Sequence, residues 1–136
     1  MSKLKIAFLS YRSDPFSGGQ GIYLKNLCEA LINRNHDITI FSGNPLPNVP
    51  ENIRLIEIET PGYFETFTFK ERVKIFSQLS KSRMDYLDFF ETCTGTFTEP
   101  IFFGERLSAN KTFAEEAHTF DIFHDNQSLS NYPKII

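Results

Sequence analysis

The chain has 136 residues, 40% of them apolar and 23% charged, with a formal net charge of −3. That length allows one domain with a buried core, and the mild acidity offers no global attraction to nucleic acid or to an anionic membrane. No apolar run approaches the length of a membrane span, and Met1-Ser2-Lys3 leads straight into an apolar segment, so the expectation is a cytoplasmic protein without a signal peptide.

In chain order, Ile6-Ala7-Phe8-Leu9 reads as a buried strand, followed by a loop that ends in Ser17-Gly18-Gly19-Gln20-Gly21. A helix follows, its apolar residues Leu24, Leu27, Cys28 and Leu31 on one face and Lys25, Asn26, Glu29 and Asn33 on the other. A glycine-rich turn that opens a helix leaves backbone N–H groups bare at the positive end of the helix dipole, where a phosphate or another anion would sit. Gly18, Gly19, Gln20 and Gly21 are therefore candidate binding residues. Neither G-x-G-x-x-G nor G-x-x-x-x-G-K-[ST] fits: the third glycine of the first motif would fall on Leu24, and the second motif does not occur. From the loop alone, a sharp turn into the helix is as good an explanation as a ligand.

Asn35-His36 ends the helix, asparagine being tolerated in the left-handed capping conformation. Residues 37–42 form a second strand, apolar on both faces as in a parallel sheet covered by helices. Prolines mark 44–50 as a loop, and 53–58 reads as a third strand stopped by Pro61-Gly62. The excursion from Tyr63 to Gly104 holds eleven of the twenty aromatic residues. Within it Phe69, Val73, Phe76, Ser80, Met84 and Leu87 predict one helix over about 70–90. A weaker pattern predicts another over 104–118, with Leu107, Ala114 and Ala117 inward. Residues 120–124 predict a fourth strand with Asp125-Asn126-Gln127-Ser128 at its carboxyl end, and Pro133 reads as a first-turn proline of a further helix. Because the chain stops there on Ile135-Ile136, the expectation is the front part of a longer protein. Cys28 and Cys93 lack metal-ligand spacing and are expected to be free thiols.

The segment Tyr11-Arg12-Ser13-Asp14-Pro15-Phe16-Ser17-Gly18-Gly19-Gln20-Gly21-Ile22-Tyr23, its helix, and Asn35-His36-Asp37-Ile38-Thr39-Ile40-Phe41-Ser42-Gly43 resemble the amino-terminal half of the retaining GT-B glycosyltransferases of family 4. Asn35 stands where that family usually has glycine. Cys93-Thr94-Gly95-Thr96-Phe97-Thr98-Glu99-Pro100 and Phe120 to Leu129 match one bacterial subgroup. The resemblance implies an α/β Rossmann-like domain, partial over residues 1–136, that binds acceptor and faces a carboxyl-terminal domain absent from this chain. That second domain would bind most of the nucleotide-sugar donor. The whole protein would move a sugar with retention of configuration, in cell-envelope, polysaccharide or glycolipid synthesis, onto a carbohydrate or lipid-linked acceptor, and the piece alone would be inactive.

In a doubly wound sheet of order 3-2-1-4, with helices on both faces, strands one and four are neighbours and the crevice at their carboxyl ends is the usual ligand site. Gly18 to Gly21 and His124, Asp125, Asn126 and Gln127 are expected to meet there. His124, Asp125 and Asn126 are the catalytic candidates; Gly18, Gly19, Gln20, Gly21 and Gln127 are the donor- or acceptor-binding ones. The family more often writes the fourth strand as D-V-V-H-x-H, and Asn126 holds the second histidine position, so either Asn126 or His124 would contribute the polar contact to the donor sugar. His124 taken singly reads equally as a structural histidine, and Asp125 as a cap. His36 and His118 read as caps or surface residues. No D-x-D occurs, so neither a metal nor another cofactor is expected.

The stretch from Phe67 to Arg83 sets Lys70, Arg72, Lys74, Lys81 and Arg83 against Glu71 alone. It reads as a peripheral contact with the inner face of an anionic membrane, as a grip on a phosphorylated acceptor that would suit a lipid-linked substrate, or as an ordinary solvated face with its apolar stripe in the core. Two other classes compete. A Rossmann dehydrogenase would require the third glycine and an acidic residue near Ser42-Gly43; a flavodoxin-like small-ligand-binding or signalling module would require a fifth strand and a closing helix.

Overall fold

A computed structural model describes residues 2–16, 19–60, 69–78, 83–95 and 98–126. Its elements are β1 (Lys5–Ser10), α1 (Gly19–Ile32), β2 (Asp37–Ser42), β3 (Arg54–Glu57), α2 (Phe69–Gln78), α3 (Arg83–Cys93), α4 (Glu99–Ala109), α5 (Lys111–Glu116), a 3-10 turn (Ala117–Thr119) and β4 (Ile122–Asp125). The four strands form one parallel sheet in the order β3-β2-β1-β4, the α/β topology expected from the sequence.

Alternation along β1 sends its side chains to two cores. Ile6 and Phe8 pack with Leu24 and Cys28 of α1 and with Ile38, Ile40 and Ile53 on one face. Ala7, Leu9 and Tyr11 pack on the other with Phe41, Ile58, Phe103, Leu107 and Phe113. Helices thus cover both faces, which explains the apolar runs in β1 and β2. Burial pushes the Cys28 thiol up to about 12, so at neutral pH it is a small apolar side chain. Both cysteines are free.

α1 ends as its residues require. Asn35 sits in the left-handed region at φ 67°. The His36 N–H donates to Leu31 O at 3.2 Å and the Asn35 N–H to Ile32 O at 2.7 Å, the paired bonds of a Schellman cap. His36 Nδ1 then accepts from the Leu4 N–H at 3.2 Å, tying the helix end to the start of β1.

Two helix predictions are corrected. The helix expected over 70–90 is two helices, α2 and α3, with residues 79–82 outside the described set. Its stripe is not in the core: Val73, Phe76 and Leu87 are exposed, and Phe76 instead stacks against Tyr86, Phe89 and Phe90. The helix expected over 104–118 begins earlier, at Glu99, with Pro100 in its first turn where a missing N–H costs nothing. It breaks at Asn110, whose extended backbone (φ −72°, ψ 124°) and side-chain oxygen cap the Phe113 N–H at 3.1 Å. The residue buried from α5 is therefore Phe113, while Ala114 is exposed. β4 starts at Ile122 rather than at Phe120, because Phe120 closes the 3-10 turn with its N–H on Ala117 O.

Candidate active site at the carboxyl edge of the sheet

The loop after β1 is held from two sides. The Ser13 N–H donates to Pro45 O at 3.0 Å, and Asp14 Oδ1 accepts from the Phe16 N–H at 2.8 Å in an Asx turn. The first turn of α1 packs directly on this loop: a Cβ on Gly21 would lie 2.3 Å from Asp14 O and 2.9 Å from Ser13 O. Gly21 therefore serves close backbone approach. Gly19 is different, since a Cβ there would enter open space. Its turn carries no acidic residue, so the positive end of the dipole is not neutralised from within the helix. The Gln20 side chain hydrogen-bonds the Tyr11 hydroxyl. Gly18 and Gln127 lie outside the described residues.

At the end of β4, His124 is in register with Phe8 and its ring lies 4.8 Å from the Phe8 ring, half-buried on the face that carries α1. Asp125 pairs with Leu9 and so belongs to the opposite face, also half-buried. Asn126 is buried; its N–H donates to Leu9 O at 2.8 Å, and its Nδ2 approaches Ser10 Oγ at 3.5 Å. Ser10 Oγ lies 2.6 Å from Ser13 Oγ. A chain of contacts thus runs from Asn126 through Ser10 and Ser13 to Gly21, joining the two loops expected to converge.

The structure adds three residues that sequence reasoning did not single out as site residues: Tyr11, Arg12 and Glu99. Glu99 opens α4, which packs on the Tyr11 side of the sheet. Its Oε2 is buried and, among the described residues, has no hydrogen-bond partner. Burial pushes the Glu99 carboxyl up to about 7, a shift opposed by the Arg12 guanidinium and reinforced by Asp88. Asp88 is itself held by Arg106 at 2.9 Å and by the Thr98 hydroxyl at 3.0 Å. A readable signal was present: Thr98-Glu99-Pro100 has the acid and first-turn proline of a helix start. Toward the other end of α4, a concavity of about 410 Å³ opens at the carboxyl end of β3, lined by Glu57, Glu59, Asp85, Arg106 and Asn110 among others.

No protein-family model matches the chain. Over 128 residues, 93% of its length, it is 36% identical to a protein of Mycolicibacterium hassiacum named MMP alpha-(1->4)-mannosyltransferase. The chain is homologous to a glycosyltransferase. It spans 30% of the length of that relative. The homology fits the topology, because a parallel sheet with two loops meeting at the carboxyl ends of neighbouring strands is a platform for a nucleotide-linked ligand.

Proposed function

We propose that this glycosyltransferase homologue is the acceptor-side lobe of a retaining, metal-independent enzyme of GT-B architecture and family 4 type. It would face a carboxyl-terminal lobe that holds most of a nucleotide-sugar donor. The observation that carries the reading is the continuous link from Asn126 to Gly21, which places the end of β4 beside the amino terminus of α1 in a chain homologous to a mannosyltransferase.

In this reading the N–H groups of Gly19 and Gln20, which open α1, receive the donor diphosphate, whose charge grows as the bond from the sugar anomeric carbon to phosphate oxygen breaks. The acceptor hydroxyl forms the new bond on the same face and gives its proton to the departing diphosphate. The protein supplies position and charge stabilisation, with no metal or other cofactor. His124, half-buried on the α1 face, makes the polar contact to the transferred sugar; Asn126 acts through Ser10 to hold the two strand ends together, and Asp125 orients the acceptor. Gly18 and Gln127 extend the binding surface. The acceptor is a carbohydrate or a lipid-linked carbohydrate, and the reaction takes place in the cytoplasm as part of envelope, polysaccharide or glycolipid synthesis.

The test is a graft. Placing the matched residues of this chain into the mycolicibacterial relative is expected to preserve mannosyl transfer, with or without a metal chelator. Gly19→Val in the graft is expected to abolish transfer without lowering thermal stability, because the new side chain enters open space where the diphosphate is to sit. The 136-residue chain by itself is expected to transfer nothing. Normal rates in the Gly19→Val graft, or turnover by the chain alone, would contradict the assignment.

A second observation favours a peripheral membrane contact. Val73, Phe76, Leu87 and Phe90 are exposed beside Lys70, Lys74 and Arg83, all exposed too. Among the described residues no helix is long and apolar enough to cross a membrane, so the contact would lie in the interface at the inner face. Replacing Lys70, Lys74 and Arg83 together by alanine is expected to weaken partitioning onto anionic vesicles by about 1 kcal/mol per charge. Unchanged partitioning removes the membrane from the reading.

A further inference from the structure

The concavity at the carboxyl end of β3 is lined by Glu57 and Glu59 from the strand end, by Asp85 of α3, and by Arg106 of α4 with Asn110 just after it. Its volume of about 410 Å³ is that of a small-ligand site. Ile58, which also lines it, belongs to the same core as Leu9 and Leu107, so the concavity lies on the face of the sheet that carries Asp125. Register fixes its place along the edge: Glu57 is level with Ser42, and Ser42 with Ser10. Two strand spacings put Glu57 about 10 Å from Ser10, the residue that Asn126 approaches in the crevice.

Arg106 is anchored without being saturated. One nitrogen, Nη2, reaches both Asp85 and Asp88 at 2.9 Å, and the side chain is only 11% exposed. Nε and Nη1 make no hydrogen bond among the described residues, yet neither is sealed, since the side-chain atom that is both buried and unpartnered there is Glu99 Oε2. Their N–H groups therefore reach the opening that Arg106 lines. Acceptors face the same space. Glu59 is exposed and has no hydrogen-bond or ion-pair partner among the described residues, and Glu57 gives one oxygen to Asn44 Nδ2 at 2.6 Å and keeps the other. A second cavity of about 410 Å³, at the amino end of β2, offers a contrast: its charged walls are already paired, Arg54 with Glu116 and Asp37 with Lys3.

Building on the glycosyl-transfer reading, we propose that this concavity is a subsite for a neutral sugar unit of the acceptor, held apart from the hydroxyl that reacts, so that the acceptor is an oligosaccharide. A sugar hydroxyl both donates and accepts, so neighbouring hydroxyls can donate to Glu57 and Glu59 and accept from Arg106. Other ligand classes use only half of this set. An ammonium group has donors alone and would meet the guanidinium with like charge; a phosphate has acceptors alone and would meet the carboxylates with like charge. Because two aspartates pin the guanidinium, its donors are in place before a ligand arrives. The distance of about 10 Å leaves the reacting end of the acceptor at the crevice, with Asp125 on the same face. Glu57, Glu59 and Arg106 determine specificity and touch the substrate away from the reacting atoms.

The first test titrates the isotope-labelled chain, followed by amide NMR, with α-1,4-linked mannobiose, with inorganic phosphate and with propylammonium in turn. Mannobiose is expected to move the amides of Glu57, Glu59, Arg106 and Asn110, and Glu59→Gln to weaken it about tenfold, as loss of a hydrogen bond to a charged group does. Since Glu59 holds nothing else in place, the variant is expected to melt at the temperature of the parent. Weaker binding with a lower melting temperature would mark Glu59 as structural and overturn the subsite. Phosphate or propylammonium moving these amides at lower concentration than mannobiose would overturn it too, as would mannobiose shifts that are absent or confined to residues 19–21 and 124–126.

Kinetics in the graft separate this subsite from the transfer reading. With α-1,4-linked mannotetraose as acceptor, Glu59→Gln is expected to raise KM about tenfold and leave kcat unchanged, because a contact remote from the reacting hydroxyl holds ground state and transition state alike. Methyl α-D-mannopyranoside, too short to span the distance from the crevice, is expected to be the poorer acceptor of the parent graft. A fall in kcat in the variant, or equal kcat/KM for the two acceptors, would overturn the subsite while leaving the glycosyl-transfer reading standing. An inactive parent graft would overturn the transfer reading, and the NMR titration then decides the saccharide site by itself.

Discussion

Gly21→Ala is expected to destabilise the chain by about 1–3 kcal/mol or more, the usual cost of forcing a methyl group into closed space. The new Cβ would lie 2.3 Å from Asp14 O and 2.8 Å from its carbonyl carbon, and both belong to backbone that cannot swing aside like a side chain. Relief requires α1 to lift from the β1 loop or Asp14 to move. The second course pulls on the Ser13–Pro45 hydrogen bond and on the Ser10–Ser13 pair beneath it. Alanine's better helix propensity, about 1 kcal/mol in a helix interior, offsets only part of this. Gly19→Ala, two residues earlier, meets nothing and is expected to be neutral or slightly stabilising, because it restricts the unfolded chain at no native cost. Urea unfolding of the two variants side by side is the measurement. Equal midpoints would mean that α1 does not approach the loop as closely as described.

Arg106→Ala should show the other large effect, a loss of about 3–5 kcal/mol. Arg106 reaches Asp85 and Asp88 at 2.9 Å each, with its side chain only 11% exposed and that of Asp88 4%. Its guanidinium also lies 5.9 Å from the centre of the Phe102 ring. Without it, the hydrogen bond left to the buried Asp88 carboxylate among the described residues is that of the Thr98 hydroxyl. Burial already holds the Asp88 pKa above its ordinary value even with Arg106 present, and removing the cation raises it further.

The sign of the pH dependence follows from that direction. Raised in the folded state, Asp88 weakens folding at pH values where it ionises in the unfolded chain, and this penalty disappears once pH falls below the unfolded pKa. The deficit of Arg106→Ala should therefore be largest at neutral pH and shrink in acid. The double variant Arg106→Met, Asp88→Asn should recover much of the loss, because no charge is then left buried. A deficit that stays constant with pH would assign it to lost packing on Phe102 instead. The consequence reaches the start of α4, since the Thr98–Asp88 bond fastens its N-cap residue to α3.

Much of this architecture follows from local rules that act on neighbouring residues. Asn35 takes the left-handed cap because a short polar side chain tolerates positive φ; the bonds to Leu31 and Ile32 follow from it. Apolar runs on both faces of β1 and β2 require helices on both sides, and the observed order β3-β2-β1-β4 meets that requirement. The Gly19 loop was legible as a glycine-rich turn into a helix, and the His124 end as the polar terminus of a strand in such a sheet.

Long-range contacts decided the rest. Val73, Phe76 and Leu87 have helical spacing, but spacing does not say which face is inward, and Phe76 turned to Phe89 and Phe90 rather than to the sheet. Asn110 broke the second predicted helix because its side chain found the Phe113 N–H, which let Phe113 fill the space under Phe41, ring to ring at 5.2 Å. The amino-acid order by itself therefore determined the parallel sheet, the α1 cap and the two strand ends that meet at the crevice, because each depends on conformational preferences and burial patterns read within a few residues. Only the tertiary structure set Arg106 with Glu57 and Glu59 around one concavity. They stand far apart in the chain, and no local preference ties one to the others; the core that Ile58 and Leu107 share brings α4 to the end of β3.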